Sequence, residues 1–137
     1  MNRLRGRIKG IESNGHVSLV DVDVDGQVFV AILLESPQTA PYLVEGNAVD
    51  VLFKETEVSL AKNLTGLISL RNRVQTAVRH IHKGEILSEV ELDYHGRSLT
   101  SIVTSRSIAR LELKEGDAVE ALVKANEVSL QEVTDEP

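Results

Sequence analysis

The chain has 137 residues, no cysteine, and only two phenylalanines and two tyrosines, so an aliphatic core must form without disulfides or thiolate metal sites. A net charge of −6 and the shortage of aromatic side chains argue against a general nucleic-acid-binding protein. The sequence has no run of roughly 18 apolar residues that could span a membrane, and its start lacks the apolar stretch of a secretion signal. We therefore expect a cytoplasmic protein with neither a nucleic-acid nor a membrane partner.

The first half begins with a predicted strand that carries four alternating basic residues, Arg3, Arg5, Arg7 and Lys9. Side chains two apart share one face of a strand, so these residues form either a basic stripe or, as we favour, a solvated face offset by nearby carboxylates. Asp25-Gly26 predicts a hairpin turn between the second and third strands. Ser36-Pro37 predicts the start of a helix that Pro41 shortens, and two further strands follow.

The second half repeats the first half. Residues 2–62 align with residues 72–132 at a constant offset of 70 without a gap, and 19 of the 61 aligned pairs are identical. Here a serine-capped helix is predicted from Ser105 to Leu111, after three strands and before two more. Because this period is too long for a solenoid unit, each repeat should be a small domain. The predicted organisation is domain 1 at 1–62, a linker at 63–68, domain 2 at 69–133 and a frayed tail at 134–137.

Five short strands with one helix between the third and fourth is the element order of an OB-type barrel. The sequence thus predicts a mainly β fold of two tandem OB-type five-stranded barrels, each with one short helix between strands 3 and 4. Domains of about 65 residues bury a low fraction of their surface and are marginally stable alone. We therefore expect a homo-oligomer, either a trimer or a dimer.

The second repeat carries hydrogen-bond donors that the first repeat lacks. It has Ser69-Leu70-Arg71-Asn72 before its first strand, Thr104-Ser105-Arg106-Ser107 before its helix, and Lys124-Ala125-Asn126 between its last strands. Donors of this kind, with backbone N–H groups at a helix start, can form an anion site. Taken one at a time, the serines could equally cap the helix and Lys124 could lie along the surface, but three separated segments favour a shared site.

These segments resemble the motifs of the molybdenum-pterin-binding (Mop) domain of the TOBE class, and the tandem arrangement resembles that of the di-Mop proteins. The resemblance covers nearly the whole chain and is strong in the second repeat. It implies an OB-type fold, an oligomer, and a molybdate or tungstate ion bound between Mop domains, with no other cofactor. Carried over position by position, the oxyanion-binding residues are Ser69, Arg71, Thr104, Ser107, Lys124 and the backbone of Ala125. Of these, the first repeat keeps only the counterpart of Lys124, which is Lys54.

The chemistry of the ion agrees with this set of residues. Molybdate is a dianion at neutral pH whose oxygens only accept hydrogen bonds, so its site needs donors alone. Glu35 and Glu55 in the first repeat would therefore be poor replacements for Ser105 and Ala125. Asn2 and Asn72 occur in both repeats, and we interpret them as structural residues that satisfy a turn.

Other sites find less support in the sequence. His80 and His82 lie two apart on a strand, but no third ligand is clustered with them, so we expect no metal site. No nucleophile accompanied by a base is evident, so we expect no enzyme. The preferred function is the binding of molybdate or tungstate for storage, buffering or homeostasis. The alternatives are an oxyanion-sensing module of a transporter ATPase or transcription regulator, and an OB-fold interaction domain that binds no oxyanion.

Overall fold

A computed structural model describes residues 1–133, which form ten β-strands, one α-helix and two 3-10 turns. The strands are β1 (Asn2–Asn14), β2 (Val17–Val24), β3 (Gln27–Leu33), β4 (Ala48–Phe53), β5 (Ser59–Ala61), β6 (Asn72–His82), β7 (Leu87–Tyr94), β8 (Arg97–Thr104), β9 (Ala118–Val123) and β10 (Ser129–Glu132). The helix is α1 (Ser105–Leu111), and the 3-10 turns span Glu55–Glu57 and Ala125–Glu127. The tail predicted at 134–137 lies outside the described residues. Within 1–133, no helix is both long and apolar enough to cross a membrane.

The strands belong to two antiparallel five-stranded sheets, and each sheet contains one strand from the other repeat. The first sheet has the order β10-β4-β1-β2-β3, and the second has the order β5-β9-β6-β7-β8. Leu130 of β10 pairs with Val51 of β4, while Leu60 of β5 pairs with Ala121 of β9. The last strand of each repeat has therefore crossed into the sheet of its neighbour. The division into domains at 1–62 and 69–133 follows the repeats rather than the sheets, and it stays a prediction.

The predicted mainly β, OB-like class is confirmed, and its core is continuous across the two repeats. One cluster of buried residues, mostly valine, leucine and isoleucine, draws members from both sheets. The rings of Phe29 and Tyr94, which come from different repeats, lie edge to face with their centroids 6.5 Å apart. The Tyr94 hydroxyl donates a hydrogen bond of 2.5 Å to the Val24 carbonyl across the same boundary. Each sheet thus buries its inner face against the other sheet.

The helix expected in the first repeat is absent from the described residues, and that part of the fold prediction was wrong. The segment after β3 forms a single turn, in which the Ser36 carbonyl accepts hydrogen bonds from the amides of Thr39 at 3.0 Å and Ala40 at 2.8 Å. Pro41 follows directly and has no N–H to continue the ladder. In the second repeat α1 forms over the predicted residues with Ile108 buried beneath it, but the cap is Thr104 rather than a serine.

The basic residues of β1 form an ion-paired, solvated face, as favoured above. Leu4 and Ile8 are buried while Arg3, Arg5 and Arg7 are exposed on the opposite face. Asp50 of β4 accepts hydrogen bonds from Arg3 at 2.8 Å and from Arg5 at 2.7 Å. Burial opposes ionisation of this carboxyl, but the two arginines outweigh it and lower the pKa of Asp50. One carboxylate of the neighbouring strand therefore holds two of the four basic residues.

Asn2 and Asn72 do not satisfy a turn; each joins the two sheets. The side-chain amide of Asn72 donates to the Val30 carbonyl at 2.9 Å and accepts from the Val30 amide at 2.7 Å. Asn2 makes the same pair of bonds to Thr100, both at 2.8 Å. Val30 and Thr100 lie on β3 and β8, which are edge strands with backbone groups to satisfy. These positions are related by the offset of 70, so the repeats pack with approximate twofold symmetry.

The exchange of β5 and β10 predicts how the second repeat will behave alone. A fragment of residues 69–137 lacks β5, which pairs with its β9. It also lacks β4, which pairs with its β10. Two identical fragments can restore both pairings by exchanging β10, so we expect the fragment to fold only as a dimer. Sedimentation combined with circular dichroism checks this expectation. A folded monomeric fragment would show that the exchanged strand is dispensable.

Candidate functional site

A pocket of about 670 Å³ opens where the second repeat meets β2 and β3 of the first repeat. One wall is apolar and includes Leu19, Val30 and Ile32. The opposite side is built from the segment before β6 and from the 3-10 turn after β9. The remaining lining residues are Thr56, Glu57, Ser59, Ile68, Ser69, Leu70, Arg71, Leu122, Lys124, Ala125, Asn126 and Glu127.

Four of the six predicted oxyanion-binding residues meet in this pocket, namely Ser69, Arg71, Lys124 and Ala125. The pairing of β6 with β9 explains why distant segments converge. Asn72 at the start of β6 lies opposite Val123 at the end of β9. The residue before β6 and the residue after β9 are therefore neighbours, and they are the two cationic residues of the set.

Both cationic side chains are available to a ligand. Neither the Arg71 nor the Lys124 side chain forms a hydrogen bond or an ion pair with another residue of the described part of the chain, and both residues are exposed. Arg73, only two residues away, instead binds Glu120 through two hydrogen bonds of 2.8 and 2.9 Å. The pocket thus holds two cationic side chains that have no ion-pair partner among residues 1–133.

Backbone donors are present at the same place. The 3-10 turn Ala125–Glu127 begins after Lys124, and no side chain caps it. Inside the turn, the Glu127 amide donates to the Lys124 carbonyl at 2.9 Å. The first N–H groups of a helical turn have no partner within the turn. The amides of Ala125 and Asn126 are therefore the backbone donors that a bound anion could use.

Thr104 and Ser107 are not brought to this pocket within one chain. The Thr104 hydroxyl accepts from the Ser107 amide at 3.1 Å and lies 2.8 Å from the Ser107 hydroxyl, so Thr104 caps α1 and both side chains are held at the start of the helix. Ser107 borders a separate groove of about 320 Å³ beside α1, together with Ser59 and Arg110. The reason lies in the approximate twofold symmetry: the pocket borders β3, whereas Thr104 ends the equivalent strand β8.

Sequence reasoning missed two carboxylates and the apolar wall of the pocket. Glu57 and Glu127 line the same pocket as Arg71 and Lys124. The two glutamates are equivalent positions of the repeats and begin the shared Glu-Val-Ser-Leu segments. Glu127 could have been found from the sequence, because a glutamate so close to Lys124 along the chain also lies near it in space. The wall could not be found in this way, since it depends on β3 of the other repeat.

The corresponding corner of the first repeat is less suited to an anion. It carries Lys54 as the counterpart of Lys124, but Glu55 replaces Ala125. The N-terminal ammonium group forms an ion pair with Glu55. Its hydrogen bond lowers the pKa of that carboxyl. An ionised carboxylate next to Lys54 would repel a dianion.

His80 and His82 are paired with carboxylates. The His80 ring lies 2.7 Å from Glu115 and the His82 ring lies 2.7 Å from Glu91. The hydrogen bond with His82 lowers the pKa of Glu91. Among residues 1–133, no group of three or more His, Cys, Asp or Glu side chains is placed to hold a metal ion.

Comparison with known proteins relates the chain to molybdenum proteins. The sequence model of the TOBE domain matches residues 68–130. The molybdenum import ATP-binding protein ModC of Brucella abortus is 43% identical over 70 residues, which are 50% of this chain and 20% of ModC. The chain thus spans about a fifth of the length of the Brucella relatives that it matches. Molybdenum-pterin-binding protein 1 of Clostridium pasteurianum is 36% identical over 64 residues, covering 46% of this chain and 94% of that protein.

The fold also has a counterpart that includes both repeats. A crystal structure of the cytoplasmic molybdate-binding protein ModG, with molybdate bound, superimposes with a TM-score of 0.90 and is 29% identical in sequence. The match covers 96% of each chain. The tandem OB-like arrangement is therefore shared over the whole described structure. With the TOBE match and the Clostridium relative covered almost end to end, the chain belongs to the TOBE family of molybdenum-pterin-binding proteins.

Proposed function

We propose that this protein binds molybdate or tungstate in the cytoplasm, for storage, buffering or homeostasis. The observation that carries the proposal is the pocket in which the Arg71 and Lys124 side chains have no partner among residues 1–133 and lie beside Ser69 and the uncapped turn at Ala125. The relatives named for molybdenum, and the structural counterpart named for molybdate, support the same ligand.

The donors in the pocket suit a tetrahedral dianion. Arg71 and Lys124 supply charge-assisted hydrogen bonds, and Ser69 and the amide of Ala125 supply neutral ones. The apolar wall formed by β2 and β3 keeps water away from one side, which strengthens these hydrogen bonds. Nothing in this scheme requires a bond to be made or broken. The proposed activity is reversible binding rather than catalysis.

Glu57 and Glu127 limit the net charge of the pocket. With two cations and two carboxylates in its lining, the empty pocket is close to neutral. Attraction by net charge is therefore weak, and affinity depends on where the individual donors are placed. A site of this kind should be sensitive to small displacements of Arg71 or Lys124, since hydrogen-bond strength falls steeply with poor geometry.

We propose that self-association, as a trimer or a dimer, completes the site. Exposed apolar side chains at the start of β2, on β3 and directly after β3 give this sheet an apolar surface beside the pocket. Leu34 is 82% exposed, Val17 is 45% exposed and Ile32 is 39% exposed. A second subunit on this surface would bury it and could bring its own Thr104 and Ser107 to the pocket. The six predicted oxyanion-binding residues would then meet at one site, although within a single chain Thr104 and Ser107 lie apart from the other four.

A regulatory module is the second candidate, and the similarity to ModC favours it. Only a fifth of that import ATPase is matched, so there the similar segment is one part of a larger protein. If this sequence continues into a transporter ATPase or a DNA-binding domain, the same pocket would act as a sensor. The third candidate, an OB-fold interaction domain without an oxyanion, is separated from both by direct titration with molybdate.

Substitutions in the pocket should show which of the two repeats binds molybdate. Arg71→Ala and Lys124→Ala should each weaken molybdate binding by about 1.5–3 kcal/mol, the size of a hydrogen bond to a charged group. Lys54→Ala is the matched control at the equivalent position of the first repeat, and it should cost much less. Isothermal titration calorimetry measures the three affinities. Equal losses for Lys54→Ala and Lys124→Ala would mean that the first repeat also binds the ion.

Ligands should stabilise the fold selectively. An ion that binds only the native protein adds about 2.7 kcal/mol at a hundredfold excess over its Kd. Molybdate and tungstate should both raise the melting temperature, whereas phosphate should raise it far less because much of it carries a proton at neutral pH. Sulfate is the stringent control, since it is an unprotonated dianion of smaller size. Equal shifts with sulfate and molybdate in a thermal melt would indicate a generic anion site.

Self-association should be measurable directly. Sedimentation at micromolar concentration should give a trimer or a dimer rather than the 15.0 kDa monomer. Leu34→Glu places a charge on the exposed apolar surface and should shift the distribution toward monomer. Glu45→Lys, in the exposed turn before β4, is a charge-changing control away from this surface. A clean monomer in the presence of saturating molybdate would rule out a site shared between subunits.

A further inference from the structure

Asn72 connects the cationic side of the pocket to its apolar wall. Arg71, which lines the pocket, precedes it directly, and Val30, which forms part of the wall, receives both of its side-chain hydrogen bonds. The Asn72 side chain is completely buried. Because its oxygen and its nitrogen are both engaged with Val30 and no surface remains, Asn72 itself cannot touch a bound ion.

This connection restrains a segment that has no regular structure. Residues 62–71, between β5 and β6, belong to neither a strand nor a helix. They include Ser69 and Arg71, two of the proposed donors. The wall opposite them belongs to β3, an edge strand of the other sheet. At the pocket, the side chain of Asn72, the residue that directly follows this segment, forms two hydrogen bonds to that strand.

We infer that Asn72 is a positioning residue for oxyanion binding, which holds Arg71 and Ser69 at a set distance from β3. The inference rests on the proposed function and extends it to a residue that touches no ligand. Since the empty pocket is nearly neutral, affinity depends on donor placement, and a loosened Arg71 loses hydrogen bonds without losing charge. Asn72 therefore acts on binding through Arg71.

The chain contains its own control for this role. Asn2 makes the same two hydrogen bonds to Thr100, on the equivalent edge strand, and is 6% exposed. The residue before Asn2 is Met1, whereas the residue before Asn72 is Arg71. The two asparagines therefore make the same structural contacts, but only Asn72 adjoins the proposed donors. Replacing either one leaves an edge strand with two unsatisfied backbone groups, so both changes should lower the melting temperature similarly.

The experiment compares Asn72→Ala with Asn2→Ala in the full-length protein, at a temperature where circular dichroism shows both to be folded. Molybdate affinity is measured by calorimetry. Asn72→Ala should weaken binding about tenfold, and Asn2→Ala should change it less than about twofold. Each change is then combined with Arg71→Ala. Asn72→Ala should add little further loss once Arg71 is gone, because residues that act through one another are not additive.

Equal affinity losses in the two asparagine variants, or full additivity of Asn72→Ala with Arg71→Ala, would overturn the inference while leaving molybdate binding intact. Failure of the unmodified protein to bind molybdate or tungstate would overturn both the proposed function and this inference. If Asn72→Ala does not fold, Asn72→Ser and its control Asn2→Ser replace the pair. Hydrogen exchange of residues 63–71 supplies a ligand-free readout, which Asn72→Ser should accelerate and Asn2→Ser should not.

Discussion

The exchange of β5 and β10 between the repeats is the constraint on which the rest of the structure depends. Neither sheet is complete without the last strand of the other repeat. The crossing brings the 3-10 turn after β9 against β3, and the turn after β4 against β8. The pocket exists because of this crossing, since its donors come from one repeat and its apolar wall comes from the other. Two barrels joined only by a linker would have no such boundary.

The two repeats present different side chains although they share one fold. The second repeat places Arg71 and Lys124 at the ends of two paired strands, where neither side chain has a partner in the described part of the chain. The first repeat uses the same backbone positions differently, since Lys54 lies next to a glutamate that is paired with the N-terminal ammonium group. The first repeat contributes mainly surface and support: the wall at Val30 and Ile32, and the fifth strand of the second sheet.

Much of this could be predicted from local patterns in the sequence. The alternation along β1, the Asp25-Gly26 turn and the helix from Ser105 depend on neighbouring residues, and all three form as expected, although Thr104 rather than a serine caps the helix. The helix at Ser36 failed because Pro41 leaves room for one turn only. The strand exchange could not be predicted, because β5 and β10 have almost the same sequence and fit either sheet. The separation of Thr104 from Arg71 follows from that exchange, so the sequence motif alone could not reveal it.

The long-range pairing of β10 also has a consequence for how the chain folds. β4 ends at Phe53, yet its outer edge pairs with a strand that ends at Glu132. During synthesis the first sheet cannot close until β10 has been made. Until then β4 exposes an unpaired edge that other chains could join. Pairings so distant in sequence slow folding, and incomplete chains of this protein should depend on chaperones to remain unaggregated.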